Sequence, residues 1–327
     1  RAMRAMMSET PGGPESLKLM EVPSRPVGKG QVRISVKAAG VNFPDTLIIA
    51  DKYQFKPPRP FAPGHEVAGD ITEVGEGVTA YKKGDRVIGM IGHGGYATEV
   101  VADQGQLLPM PGNMSYEDGA AFTMTYGTSY YALKQRSSYK AGETLLVTGA
   151  SGGVGLTAVE LGALMGLKVI GAVGSDEKIE ICRKYGATMF VNYSKEKMRD
   201  KVKELTGGQG ADIIYDAVGG DAFDEAIRCI NWYGRLLVVG FAAGRIPQLP
   251  ANLALLKSCD VRGIFYGAWR GREPKEARKN FDEMLAWYAQ GKLKPHISMR
   301  FPLEKSVDAM NALLSRKATG KVVLTIA

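Results

Sequence analysis

Cysteine is scarce: Cys182, Cys229 and Cys259 are the only three in 327 residues. They are too few and too dispersed for a disulfide framework, which points to a reducing compartment. No stretch approaches the roughly 18 continuous apolar residues of a membrane span, and the start has no signal-type apolar core. Lys and Arg number 42 against 34 Asp and Glu, giving +8, yet the basic residues form no stripe beyond a moderately basic run at 257–279. Attraction of an anionic cofactor or substrate explains that excess as well as nucleic acid would. The expectation is a soluble cytoplasmic protein with no nucleic-acid or membrane partner. Its 45% hydrophobic and 23% charged residues are ordinary for a globular chain, and its length suffices for two modest domains.

What is present is organised around residues 145–159, which read Leu-Leu-Val-Thr-Gly-Ala-Ser-Gly-Gly-Val-Gly-Leu-Thr-Ala-Val. A short apolar run with the length of a buried strand breaks into glycines and then into a helix-like segment. Such a turn needs residues without a Cβ so that backbone N–H groups can approach a pyrophosphate. The helix that follows points its partly positive end at the same anion. Gly149, Gly152 and Gly155 carry this reading, spaced G-x-x-G-x-x-G, with Gly153 as an extra glycine. A second apolar strand at 168–173 completes a β-α-β unit.

An NAD-binding unit would place Asp or Glu at the end of that second strand to hold the ribose hydroxyls. Here the strand ends in Gly174, followed by Ser175, Asp176, Glu177 and Lys178. A small hydroxyl and a cation without a carboxylate at the tip suit a 2′-phosphate, and hence NADPH. Ser175 also reads as a helix N-cap and Lys178 as a solvated charge, and both roles can coexist at one helix start.

The first third has period-two alternation at 31–38, 65–74 and 96–101, punctuated by glycines and prolines. It reads as a mostly antiparallel β domain ending near Tyr116, Glu117 and Asp118. Further buried-strand patterns at 189–192, 211–216, 236–240 and 261–265 bring the second domain to six strands, the count of a doubly wound dinucleotide fold. After them come helices beyond Glu273 and around 307–314. A closing strand at 321–326 is expected to return to the first domain. The expected boundaries are 1–120, 121–266 and 267–327, the last completing the first domain.

The order of these parts, with Gly64-His65-Glu66-Val67-Ala68-Gly69, Gly84-Asp85-Arg86-Val87 and the Gly152-Gly153-Val154-Gly155 turn, resembles the medium-chain dehydrogenase/reductase superfamily. Gly40-Val41-Asn42-Phe43-Pro44-Asp45 and Thr125 are similar to its zinc-independent quinone oxidoreductase branch. The resemblance covers nearly the whole chain. It implies a six-stranded Rossmann domain beside a GroES-like catalytic domain. Zinc-dependent members carry Cys where this chain has Asn42 and His where it has Phe43. His65 beside Glu66 falls short of the roughly three protein ligands a catalytic zinc needs, so no metal is expected and His65 reads as a structural histidine.

By the same resemblance, Lys178 and Tyr193 would contact the 2′-phosphate of NADPH, with Asn42 and Thr125 at the nicotinamide end and Gly240 and Phe241 in a loop beside it. Val154 lies in the phosphate turn. Without a metal to stabilise an alkoxide, hydride donation to an already electrophilic acceptor is expected. A quinone fits, and so does an α,β-unsaturated carbonyl or enoyl thioester, for which Tyr53 would be the proton donor or a wall aromatic. A non-catalytic NADPH-binding protein is the third class. The resemblance also implies a homodimer paired across the Rossmann sheet edge at 261–265.

Overall fold

The computed structural model describes residues 2–327. They fold as two units, one built from residues up to Met124 with Leu285–Ala327, the other from Thr125–Met284.

The first unit opens with an antiparallel ribbon of β1 (Ala2–Ser8) and β2 (Leu17–Pro23). Its main sheet begins with β3 (Gln31–Val41), β4 (Glu66–Val74), β5 (Arg86–Met90), β6 (Glu99–Asp103) and β7 (Leu107–Pro109). Alternation in β3 sends Val32, Ile34 and Val36 into one core with Val67, Ile71 and Val87, as the pleat of a strand requires. At Gly69 the neighbouring strand comes so near that a Cβ would lie 2.0 Å from the Ser35 carbonyl oxygen.

The second unit holds β8 (Thr144–Thr148), β9 (Lys168–Val173), β10 (Met189–Asn192), β11 (Ala211–Asp216), β12 (Ile230–Val238) and β13 (Asp260–Gly263). All pair in parallel, in the order β10-β9-β8-β11-β12-β13. This is the expected six-stranded doubly wound sheet. Helices cover such strands on both faces, so they read as continuous apolar runs, and Leu146, Ile170, Ile214 and Leu236 are fully buried. β12 starts earlier than the 236–240 pattern indicates, because its pairing with β11 reaches back to Ile230 opposite Ala211. β13 stops before Ile264, since Phe265 already caps the next helix.

The chain then returns to the first unit as β14 (Ile297–Pro302) and β15 (Lys321–Thr325). β15 enters the interior of the first sheet, antiparallel to β3 with Val322 opposite Val41, in the order β14-β15-β3-β4-β5-β7. β6 also pairs with β3. Only the β14/β15 pair is parallel, so the sheet is mostly antiparallel as expected.

The first unit's opening segment runs to Met124, beside the expected 120, while the start of the returning segment differs from the sequence reading. The helix Tyr116–Ala120 stays with the first unit, where the Tyr116 hydroxyl donates to Asp70 at 2.6 Å and Asp118 accepts from Tyr288 at 2.7 Å and Lys294 at 2.8 Å. The returning segment starts at Leu285 instead of 267. The preceding residues pack on the second unit: Trp269 stacks on Tyr131 with ring centroids 4.4 Å apart, and Glu283 accepts from Lys134 at 2.5 Å. Among the described residues no helix is long and apolar enough to cross a membrane.

Candidate active site

In the first unit the site starts at a helix entry. Asn42 caps the helix Phe43–Ile49, whose early proline suits a first turn, and the Asn42 backbone N–H donates to Asp45 Oδ2 at 2.9 Å. This capping box fixes Asn42 beside the start of β4, which brings His65 and Glu66, and beside the first residue of β15, Lys321.

Glu66 is wholly buried and its carboxylate accepts four hydrogen bonds. Oε1 takes one from Lys321 Nζ at 2.5 Å and one from Asn42 Nδ2 at 2.9 Å. Oε2 takes one from the Thr123 hydroxyl at 2.9 Å and one from the Met124 amide at 3.1 Å. Lys321 Nζ also donates to Asn42 Oδ1 at 2.6 Å, so the Asn42 amide is held at both ends. Burial alone would raise the Glu66 pKa, but the charges of Lys321 and His65 and the bonds from Lys321 and Asn42 outweigh it. The carboxyl is held below its ordinary value. Room for this arrangement depends on Gly40, where a Cβ would lie 2.2 Å from Glu66 Oε1 and 2.4 Å from the Ala120 carbonyl oxygen.

A second cluster adjoins it. Asp45 Oδ2 accepts from the Tyr96 hydroxyl at 2.9 Å, and Asp45 Oδ1 lies 3.3 Å from His65 Nδ1. Burial would lower the His65 pKa, but the bond to Asp45 and the charges of Asp45 and Glu66 together overcome it and raise the value, against a smaller opposing effect of Lys321. Tyr53 stands outside these clusters, 38% exposed on the loop that follows the helix.

In the second unit the glycine turn lies between β8 and the helix Gly153–Leu164, for which Gly152 is the N-cap and Gly153 and Val154 form the first turn. Gly149 adopts a positive φ of 57°. A Cβ on Gly155 would lie 2.1 Å from the Gly149 carbonyl oxygen, so only glycine lets the turn close over the helix. Asp216, at the end of β11, accepts from the Thr148 hydroxyl at 2.6 Å and from the amides of Val218 and Gly219 at 3.0 and 3.2 Å. It ties two strand ends beside the turn. Thr125 is buried, and its carbonyl accepts from the Thr157 hydroxyl at 3.0 Å.

At the end of β9, Gly174 faces the Tyr193 ring, whose nearest atoms lie 3.4 Å from an added Cβ. The Ser194 hydroxyl donates to the Gly174 carbonyl at 2.6 Å. Ser175 caps the short helix Asp176–Lys178 without a side-chain bond to it. Asp176 is occupied by Lys195 at 2.5 Å and Asn192 at 2.8 Å. The strand end at Gly174 thus carries no side chain, the Tyr193 ring lies against it, and Ser175 and Lys178 open and close the short helix that follows. Gly240 follows β12, and Phe241 beyond it is 41% exposed and lies beside Gly219.

This fold, a GroES-like sheet unit with a glycine-turn Rossmann unit, defines a medium-chain dehydrogenase/reductase, and the chain belongs to that superfamily. Residues 28–112 match the "Alcohol dehydrogenase GroES-like domain" family and residues 153–290 the "Zinc-binding dehydrogenase" family. Its place is the quinone oxidoreductase branch. The chain is 46% identical over 301 residues to a quinone oxidoreductase-like protein 2 homolog of Nematostella vectensis, covering 91% of this chain and 82% of that one. It is 35% identical to human quinone oxidoreductase over 329 residues, 100% and 98% of the two chains. The crystal structure of Escherichia coli quinone oxidoreductase complexed with NADPH superposes with a TM-score of 0.91 at 29% identity, covering 98% and 99%.

The donor set of the first unit does not suit zinc. A lysine ammonium already lies on Glu66 Oε1 and Asn42 Oδ1, and both carboxylate oxygens are fully engaged. Among the described residues no group of three or more His, Cys, Asp or Glu side chains could hold a metal. Sequence reasoning missed Asp45, Tyr96, Thr123, Asp216 and Lys321. Asp45 carried a signal, the N-x-x-D spacing of a capping box; the others are joined to their partners only by the fold.

Proposed function

We propose that the chain is an NADPH-dependent, zinc-independent reductase that transfers hydride to a quinone. The observation that carries this reading is the buried Lys321–Glu66–Asn42 assembly, in which a fixed ammonium takes up the acceptor oxygens a metal would require. Without a Lewis acid to stabilise an alkoxide, the acceptor must already be electrophilic, as a quinone is. Bound NADPH supplies the hydride.

The second unit supports NADPH over NADH. The β9 end lacks a carboxylate for ribose hydroxyls, Lys178 offers a cation to a 2′-phosphate, Tyr193 and Ser175 flank it, and the turn from Gly149 to Gly155 presents backbone N–H groups to the pyrophosphate. Thr125, Gly240 and Phe241 are assigned to the nicotinamide end. Asn42 acts by position, since both ends of its amide are tied.

Exposed Tyr53 supports a second substrate class, α,β-unsaturated carbonyls or enoyl thioesters, for which its phenol would protonate the carbon beside the carbonyl. A homodimer in the cytoplasm completes the reading. Exposed Leu255, Leu256 and Phe265 lie in the segments that lead into and out of β13, the sheet's edge strand, and an apolar sheet edge is a surface that proteins cover or pair.

The test is NADPH oxidation by purified protein with duroquinone, whose four methyl groups block nucleophilic addition, beside NADH and 2-cyclohexenone. NADPH turnover with the quinone, undiminished by chelators and without stoichiometric zinc by elemental analysis, is expected. No turnover with either acceptor would leave a cofactor-binding protein. A monomer by light scattering at micromolar concentration would remove the dimer.

A further inference from the structure

An NAD site sets a carboxylate at the end of its second strand, and a 2′-phosphate in the same place is repelled by one. The β9 end is bare at Gly174, yet Asp176 follows only two residues later. The chain leaving β10 closes over this end: the Tyr193 amide donates to the Val173 carbonyl at 3.0 Å, and the Ser194 hydroxyl donates to the Gly174 carbonyl at 2.6 Å.

Asn192, the last residue of β10, is buried with its side-chain amide fixed at both ends. Its Oδ1 accepts from the Ser194 amide at 3.0 Å, and its Nδ2 donates to Asp176 Oδ1 at 2.8 Å. Lys195 Nζ donates to Asp176 Oδ2 at 2.5 Å. Each oxygen of Asp176 is thus taken, one of them by a full positive charge. The bonds from Lys195 and then Asn192 hold the Asp176 carboxyl below its ordinary value, and the bond to Asp176 raises Lys195 in turn. The helix Asp176–Lys178 carries two acids and one base, so Lys195 brings the group to neutrality. The side chains of Lys195 and Asp176 are 68% and 59% exposed, and such an ion pair does little for the fold. Its effect falls on the charge that is bound at the strand end.

We propose that Asn192 and Lys195 determine cofactor specificity by holding and neutralising Asp176, so that the β9 end takes a 2′-phosphate in place of a bare ribose. The inference rests on the NADPH preference proposed above and adds the residues that maintain it. Asp176 is a latent ribose acceptor: released from Lys195, it repels the phosphate and offers its oxygens to the ribose hydroxyls of NADH. Lys195 and Asn192 are positioning residues, since they act through Asp176.

The probes are adenosine 2′,5′-bisphosphate, which carries the phosphate without the nicotinamide, and 5′-AMP, which lacks it. Both are titrated by calorimetry at low ionic strength, where an exposed pair is least screened, so binding is read without turnover. The parent should favour the bisphosphate. Lys195→Met should weaken the bisphosphate about fivefold, the upper range for an exposed charge pair, and leave 5′-AMP unchanged or tighter, with the melting temperature held. Lys195→Arg should keep the parent's preference. The deciding variant combines Lys195→Met with Asp176→Asn. It removes charge and counter-charge together, and should return bisphosphate affinity to the parent's value. Should the double variant stay as weak as Lys195→Met alone, Lys195 contacts the phosphate itself and the proposal falls. Unchanged bisphosphate affinity in Lys195→Met also overturns it. Equal affinity of the parent for the two probes would instead remove the NADPH preference itself, and its specificity residues with it.

Discussion

The two units handle charge in opposite ways. In the first, Glu66, Lys321, Asn42, Asp45 and Tyr96 satisfy one another inside the fold, and their energies are spent on folding. In the second, the β9 end at Gly174 carries no side chain, and Asp176 just beyond it is drawn aside by Lys195. A pre-paired cluster is tested by unfolding, and an open one by binding. The same residue type, lysine, is buried and paired at 321 and half-buried at 178, where we propose that it meets the cofactor.

Breaking the closed cluster should give the largest effect. Lys321→Met leaves Glu66 as a buried uncompensated charge, which costs about 3–5 kcal/mol. Urea unfolding should report that loss, and adding Glu66→Gln should recover part of it. An unchanged midpoint would mean that the pair contributes nothing to the fold.

Opening the other cluster further should be milder and should move binding alone. Lys178→Ala should lower NADPH affinity about ten- to a hundredfold, from the roughly 1.5–3 kcal/mol of a charge-assisted contact. NADH affinity and urea stability should stay unchanged. Gly174→Asp sharpens the contrast by restoring a ribose-binding carboxylate. An added Cβ meets the Tyr193 ring at ordinary contact distance, so the chain accommodates it, and preference should turn toward NADH in a fluorescence titration. Equal affinity for both cofactors in the parent would remove the distinction.

Acid and base should act on the closed cluster more gently. The folded Glu66 pKa lies below its ordinary 4.5, so the stability it supplies is present above 4.5 and is lost as pH falls through the lower folded value. His65 has a folded value above 6.5, so its share is present below 6.5 and is lost as pH rises through the raised value. The pair predicts a plateau between 4.5 and 6.5 in the melting temperature of the parent. Lys321→Met should flatten its acid edge.

The effect at Tyr53 depends on the acceptor and is smallest with a quinone. Tyr53→Phe should leave quinone turnover nearly unchanged, because charge ends on oxygen. Enone turnover should fall if the phenol protonates carbon, by up to the 10²–10⁴-fold of a positioned donor. Survival of both activities would make Tyr53 a wall residue.

The turn at Gly149, Gly152 and Gly155 was legible in the sequence because a backbone constraint can be met only by a residue without a side chain. The parallel strands were legible because burial on both faces writes itself as unbroken apolar runs. Lys321 was not: it opens an apolar strand like any edge charge, and its partner Glu66 is 255 positions away. The start of the returning segment, at Leu285 instead of 267, escaped for a related reason. The helix Pro274–Ala289 serves both units, Glu283 paired with Lys134 in one and Tyr288 with Asp118 in the other, and helical periodicity does not record a change of partner.

The entry of β15 into the interior of the first sheet also sets an order of events during synthesis. Glu66 leaves the ribosome 255 residues before Lys321, a delay of roughly 13–50 s at translation rates of about 5–20 residues per second. Throughout that interval the whole second unit can form, while the first has neither its counter-charge nor its inner strand. The nascent protein is therefore a finished dinucleotide binder attached to an unfinished sheet, exposed to chaperones until its final stretch arrives.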